Sequence, residues 1–231
     1  MIIRTLSFCL LVSISFIAQA TPVVYTYDFI LDSSRSGFNG FENAPVNAWY
    51  FGGTSPYVEG GISVSQVADS PKQIWMTCGA IKANGYCFGT AGHDGNYSWY
   101  PNGGDDGYTK ITRADGLDFG NVGFVTGNGY TFSGSAYLHY VLVENGLTVL
   151  EGQILIAKNS PARGYLGFGG GGFDEVLVSE PIAIVGTNVL AIDSIEMSNL
   201  SVPEPQTLAL LLAGLGLMGR MATTRKREAT Q

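Results

Sequence analysis

The 231-residue chain is acidic, with a formal net charge of −7, and only 13% of its residues are charged. Its two ends hold five of the 12 basic residues but only Glu204 and Glu228 of the 19 acids, so the body between them carries a net charge of −10. A body of that sign excludes nucleic acid and anionic lipid as partners. The chain's 32 glycines and 12 tyrosines suit a secreted β protein, and the body's roughly 180 residues suffice for one domain with its own core.

Met1–Ala20 carries one basic residue, Arg4, then an apolar stretch from Leu6 to Ala18, then Ala18-Gln19-Ala20. That layout predicts a secretory signal peptide with an A-x-A cleavage site and a mature start at Thr21. Cys9 lies inside the apolar stretch and no lipobox leads to a cysteine at the cleavage point, so lipoprotein processing is not expected.

The body reads as strand after strand. Val23–Leu31 opens with alternating Val24, Tyr25, Tyr27, Phe29 and Leu31, and a looser region, Asp32–Pro56, follows. Further strands are predicted at Ile62–Val67, Gln73–Cys78, Tyr108–Arg113, Val122–Thr126 and Tyr130–Ser133. The clearest unit is Ala136–Glu144 and Leu147–Ala157 joined by Asn145-Gly146, a type I′ hairpin signal, and Asn128-Gly129 makes a similar turn. Tyr165–Phe168, Phe173–Ser179 and Val189–Asn199 complete the set, with a glycine turn at Gly169–Gly172. His139 is expected as a partly buried sheet residue. No helical periodicity longer than a turn or two occurs between the ends. The expected fold is all-β, an antiparallel β-sandwich or barrel.

Cys78 and Cys87 remain after signal removal, and outside the cytoplasm the pair points to a disulfide. Closing a loop of about ten residues stabilises by roughly 2.7 kcal/mol in the chain-entropy model. Asn84-Gly85 competes with it as a type I′ turn, since a regular hairpin there places Cys87 opposite Lys82 and Cys78 opposite Ala91.

The most site-like stretch is His93–Tyr108, HDGNYSWYPNGGDDGY. Tyr97, Trp99, Tyr100 and Tyr108 could stack on sugar rings, with carboxylates and amides accepting from hydroxyls. Asp94, Asp105 and Asp106 could instead hold Ca²⁺. The third reading is a solvated turn-rich loop whose aromatics cover a sheet edge. Asp174 and Asp193, at strand starts, are expected to cap backbone turns, with a structural calcium as the alternative. No other cofactor is indicated. No G-x-S-x-G, H-E-x-x-H or zinc-like Cys/His spacing occurs, so no catalytic residue is assigned and the protein is not expected to be an enzyme.

The chain ends in Val202-Pro203-Glu204-Pro205, an apolar run Thr207–Gly219, then Arg220 and Arg225-Lys226-Arg227. The prolines hold an extended, peptidase-accessible segment, and the basic end stays cytoplasmic by the positive-inside rule. The run's thirteen residues rise about 20 Å, short of the roughly 30 Å hydrocarbon core, so spanning draws in Met221–Thr224 with Arg220 snorkelling to the interface. This end resembles a PEP-CTERM sorting tail, with Pro203-Glu204-Pro205 as its signature. The resemblance implies Sec export across the inner membrane of a Gram-negative-type bacterium, transient anchoring by the tail, and processing by the membrane peptidase exosortase. Delivery to the cell surface or extracellular matrix then follows. The expected division is residues 1–20 signal peptide, 21–201 exported domain and 202–231 sorting tail.

Phe173–Ser179 and Ile192–Ser198 share an aspartate, an apolar pair and a serine in register. These segments, with Asp115–Phe119 and Val122–Phe124, resemble the strands of jelly-roll modules common in PEP-CTERM proteins, which implies a jelly-roll-like sandwich. The expected role is a non-catalytic surface or matrix component that binds exopolysaccharide. A polysaccharide hydrolase or lyase is the first alternative. An adhesive or ice-binding protein is the second, although the chain has no Thr-x-Thr ladder.

Overall fold

The computed structural model describes residues 21–44, 56–68, 81–83, 95, 97–99, 107–128, 136–156, 163–182, 187–188, 190–199 and 214. Contacts divide the chain into one unit, Ala20–Val202, and a second formed by Met1–Gln19 and Pro203–Gln231. Of the second unit only Gly214 is described, in helical conformation. Among the described residues no helix is long and apolar enough to cross a membrane. The predicted signal peptide, the sorting helix apart from Gly214, the strands Gln73–Cys78 and Tyr130–Ser133, and Cys78 with Cys87 lie outside the described residues.

The described residues of the first unit are all-β. In chain order its strands are β1 (Val23–Tyr25), β2 (Arg35–Asn39), β3 (Tyr57–Glu59), β4 (Ile62–Ala68) and β5 (Ile81–Ala83). There follow β6 (Tyr97–Trp99), β7 (Gly107–Arg113), β8 (Asn121–Asn128), β9 (Ala136–Glu144) and β10 (Leu147–Ile156). The last are β11 (Arg163–Gly169), β12 (Glu175–Ser179), β13 (Pro181–Ile182), β14 (Thr187–Asn188) and β15 (Leu190–Ser198). One sheet has the order β1-β11-β8-β15-β6-β5, the second β10-β9-β12-β7-β4-β3, and β13 pairs with β14. Every pairing among the described strands is antiparallel. β15 pairs with β8 along one edge, while β2 and β6 share the other, β2 at Ile195–Ser198 and β6 at Ile192.

Alternation explains which faces meet. Phe124, Leu166 and Phe168 from the first sheet and Ile111, Leu138, Leu142, Val176 and Val178 from the second are fully buried in one core. The Tyr140 and Phe168 rings meet across it at 5.2 Å. Two antiparallel sheets sharing a core make a sandwich.

The Asn145-Gly146 turn forms with φ of 51° and 78°, the left-handed pair that a type I′ hairpin requires. The echoing segments behave alike: Val176 and Val178 on β12, and Ile195 and Met197 on β15, are buried, each strand ending in a buried serine. The opening strand is shorter than expected. Beyond Tyr25 the chain bends, because the Phe29 ring returns to stack on Tyr25 at 3.9 Å and Asp28 Oδ1 accepts the Ile30 N–H. Tyr27 and Leu31, read as strand positions, are solvent-exposed beyond that bend.

Candidate functional site

The structure does not bring Tyr97, Trp99 and Tyr108 together on one surface. The stretch read as a loop contains β6, which pairs with β5 and, at Trp99, with Ile192 of β15. Residues two apart on a strand share a face, and here that face is inward. Trp99 is 0% exposed, its ring 6.1 Å from that of Phe41, and Tyr97 packs against the same core. The indole N–H donates to Thr109 Oγ1 at 2.9 Å, and Thr109 donates to Gln66 Oε1 at 3.2 Å. Trp99 is therefore a core residue that joins the two sheets and offers no ring face to a sugar. Tyr97 is held by its own backbone N–H, which donates to Glu42 Oε1 at 2.7 Å.

Tyr100, Asp94, Asp105 and Asp106 lie outside the described residues, as do Val202, Pro203, Glu204, Pro205, Arg220, Arg225, Lys226 and Arg227. Asp174 and Asp193 both meet backbone. Asp174 Oδ2 accepts the Asn145 N–H at 3.3 Å, and Asp193 Oδ1 accepts the Ser194 N–H at 2.7 Å beside a bulge in β15. Among the described residues no group of three or more histidine, cysteine, aspartate or glutamate side chains is arranged to hold a metal.

Tyr108 stands on the outer face of the second sheet, because its neighbours Gly107 and Thr109 turn inward. Its hydroxyl lies 3.2 Å from His139 Nδ1, and His139 Nε2 lies 3.0 Å from Glu151 Oε1. The Glu151 carboxylate can only accept, so Nε2 carries a proton and donates to it, while Nδ1 and the Tyr108 hydroxyl share the second hydrogen bond. Lys110, two residues along the same face, pairs with Glu175. No sequence motif announces this row, which draws on β7, β9, β10 and β12.

A second polar cluster lies on the outer face of the first sheet. Glu196 of β15 is almost fully buried, accepting from Arg35 Nε at 3.1 Å and from the Tyr165 hydroxyl at 2.9 Å. Arg35 also pairs with Asp32 at 2.6 Å. Burial pushes the Glu196 carboxyl up in pKa, the Tyr165 hydrogen bond pulls it down, and Asp28 adds to the rise. Tyr165 is pushed up too, first by burial and then by Glu196, so its phenol stays protonated and donates. The Tyr165 hydroxyl lies over Gly123, where any side chain would collide with it. This cluster ties the strands β2, β11 and β15 together. Glu196→Ala is expected to destabilise by about 1–3 kcal/mol, a range lowered because Arg35 is partly exposed. Urea unfolding checks this, and Glu196→Gln, which can keep the Tyr165 bond, should cost less.

The PEP-CTERM protein-sorting motif matches the chain at residues 201–227. No curated protein matches it. Among solved structures it is similar to the K1 cleaved adhesin domain of Lys-gingipain (Kgp) from Porphyromonas gingivalis W83, at 14% identity and a TM-score of 0.38. That likeness covers 64% of this chain and 95% of the adhesin domain.

Proposed function

We propose, from the PEP-CTERM protein-sorting motif that the chain carries at residues 201–227, that this is a non-catalytic, polysaccharide-binding component of the cell surface or extracellular matrix. The motif implies export and delivery to exosortase. In this reading the Sec machinery carries residues 21–201 across the inner membrane, and the apolar run 207–219 anchors the chain until exosortase acts near Val202–Pro205. Arg220, Arg225, Lys226 and Arg227 stop transfer on the cytoplasmic side. The protein works without a resident cofactor.

The observation that carries the reading is the placing of the motif directly after the sandwich. β15 ends at Ser198, and the match begins at residue 201. A jelly roll is supported by the strand order. Within the two sheets lie the sequences β2-β15-β8-β11 and β7-β12-β9-β10, the arrangement of two Greek keys wound together.

The test is expression in an exosortase-carrying host, with an epitope inserted at the exposed Asn145-Gly146 turn. Wild-type protein should lose its tail and reach the surface or medium. Glu204→Ala and Pro203→Ala should leave full-length chain in the membrane fraction. Wild type retained uncut, or variants processed like wild type, would overturn the reading. Release of reducing or unsaturated sugar by the purified protein would overturn its non-catalytic part.

A further inference from the structure

We infer that the outer face of the second sheet, at the end bearing Tyr108, His139 and Tyr137, is a binding site for a neutral polysaccharide. This rests on the polysaccharide-binding reading above and gives it a place and a ligand class.

Register assembles the face. His139 opposes Gln153 on one side and Ser179 on the other, and Tyr137 opposes Leu155 one step along. Tyr108 reaches His139 from β7, their ring centres 5.8 Å apart. β7, β12, β9 and β10 lie side by side, so the row runs about 14 Å across three strand spacings, longer than one sugar ring. Tyr137 is 54% exposed on it. The other large exposed apolar side chains include Leu155, which opposes Tyr137 on β10, and Leu31 and Leu117, which lie outside the strands.

Two physical features select the ligand. The first is preorganisation. Glu151 orients His139 and His139 orients Tyr108, so two rings are already held before anything binds, and less side-chain entropy is lost on association. Ring faces suit the C–H faces of pyranoses, and the Gln153 amide, the Glu151 carboxylate and the tyrosine hydroxyls suit their hydroxyl groups. The second is charge. Lys110 pairs with Glu175, and His139 Nε2 meets Glu151, so these basic side chains already have carboxylate partners. A polyanion would have to displace those partners on a body that is itself acidic, whereas an uncharged polyol does not.

The experiment is affinity electrophoresis of the purified full-length protein through gels containing xyloglucan, mixed-linkage β-glucan, galactomannan or, as the polyanion, alginate. Wild type should be retarded by at least one neutral polymer. Tyr137→Ala should weaken that retention at least about tenfold with an unchanged melting temperature, since the ring is exposed. Tyr108→Phe, which keeps the ring but frees it from His139, should weaken it about threefold. His139→Gln, a substitute for His139→Ala should the latter misfold, should fall between them. Retention unchanged in Tyr137→Ala, or retention by alginate alone, would overturn this site and ligand class while leaving polysaccharide binding in place. No retention in any gel would overturn both.

Discussion

Replacing Glu180 by glutamine is expected to raise the melting temperature strongly at pH 8 and hardly at all at pH 4.5. Glu180 follows the last residue of β12 on the same side as the core residues Val176 and Val178, and it is 0% exposed. Burial pushes its carboxyl up from 4.5 to about 8. Between those values the folded protein keeps a proton that the unfolded chain has released. Rising pH therefore favours unfolding throughout that window, with full stability below pH 4.5 and no further loss above pH 8. The loss across the window is about 5 kcal/mol, a large part of the net stability of an ordinary domain. Glutamine has nearly the same shape and no proton to lose, so the variant should lack this slope. At pH 8 a gain of that size corresponds to roughly 10–20 °C for a domain of this length. Thermal unfolding followed by circular dichroism at pH 4.5, 6 and 8 reads the difference. Parallel pH profiles for the two proteins would show that Glu180 is already ionised in the fold.

Trp99→Ala should cost about 3–5 kcal/mol, the range for deleting a large buried ring. The ring lies against Phe41, and its N–H supplies a hydrogen bond to Thr109, which in turn donates to Gln66. Removal opens a cavity and leaves the Thr109 oxygen without its indole donor in a dry setting. Trp99→Phe isolates the second effect. It retains a ring and should cost about 1–2 kcal/mol. Urea unfolding gives both numbers. The same variants separate packing from ligand contact: folded Trp99→Phe should keep wild-type polysaccharide retention, and a selective loss of binding would return Trp99 to the ligand.

The strands were legible wherever alternation ran long and turn residues were unambiguous. β9 and β10 around Asn145-Gly146, β7 and β12 fall where their patterns place them, because a half-buried strand writes its two faces into successive residues. β6 was not legible. Trp99 sits among glycine, asparagine and aspartate, which reads as loop, and its inward direction depends on pairing with Ile192, far along the chain. β1 was overextended for a related reason. Tyr25, Tyr27 and Phe29 alternate as a strand does, yet the Tyr25–Phe29 stack folds the segment back. The buried carboxyls of Glu180 and Glu196 left no trace in composition, since burial belongs to the assembled sheets. The Tyr108–His139–Glu151 row was hidden likewise, although Tyr108 itself was singled out for its aromatic neighbours.

β15, wholly buried and flanked on both edges, is the last of the described strands to be synthesised. The middle of the first sheet thus stays vacant until Leu190–Ser198 has been made. A chain that stops short of Leu190 leaves the facing edges of β8 and β2 open, and open edges recruit other chains or proteases. Completeness and folding are therefore checked by one segment. Only a molecule that has acquired the residues leading into the motif at 201–227 can close its core, so a truncated product keeps open sheet edges.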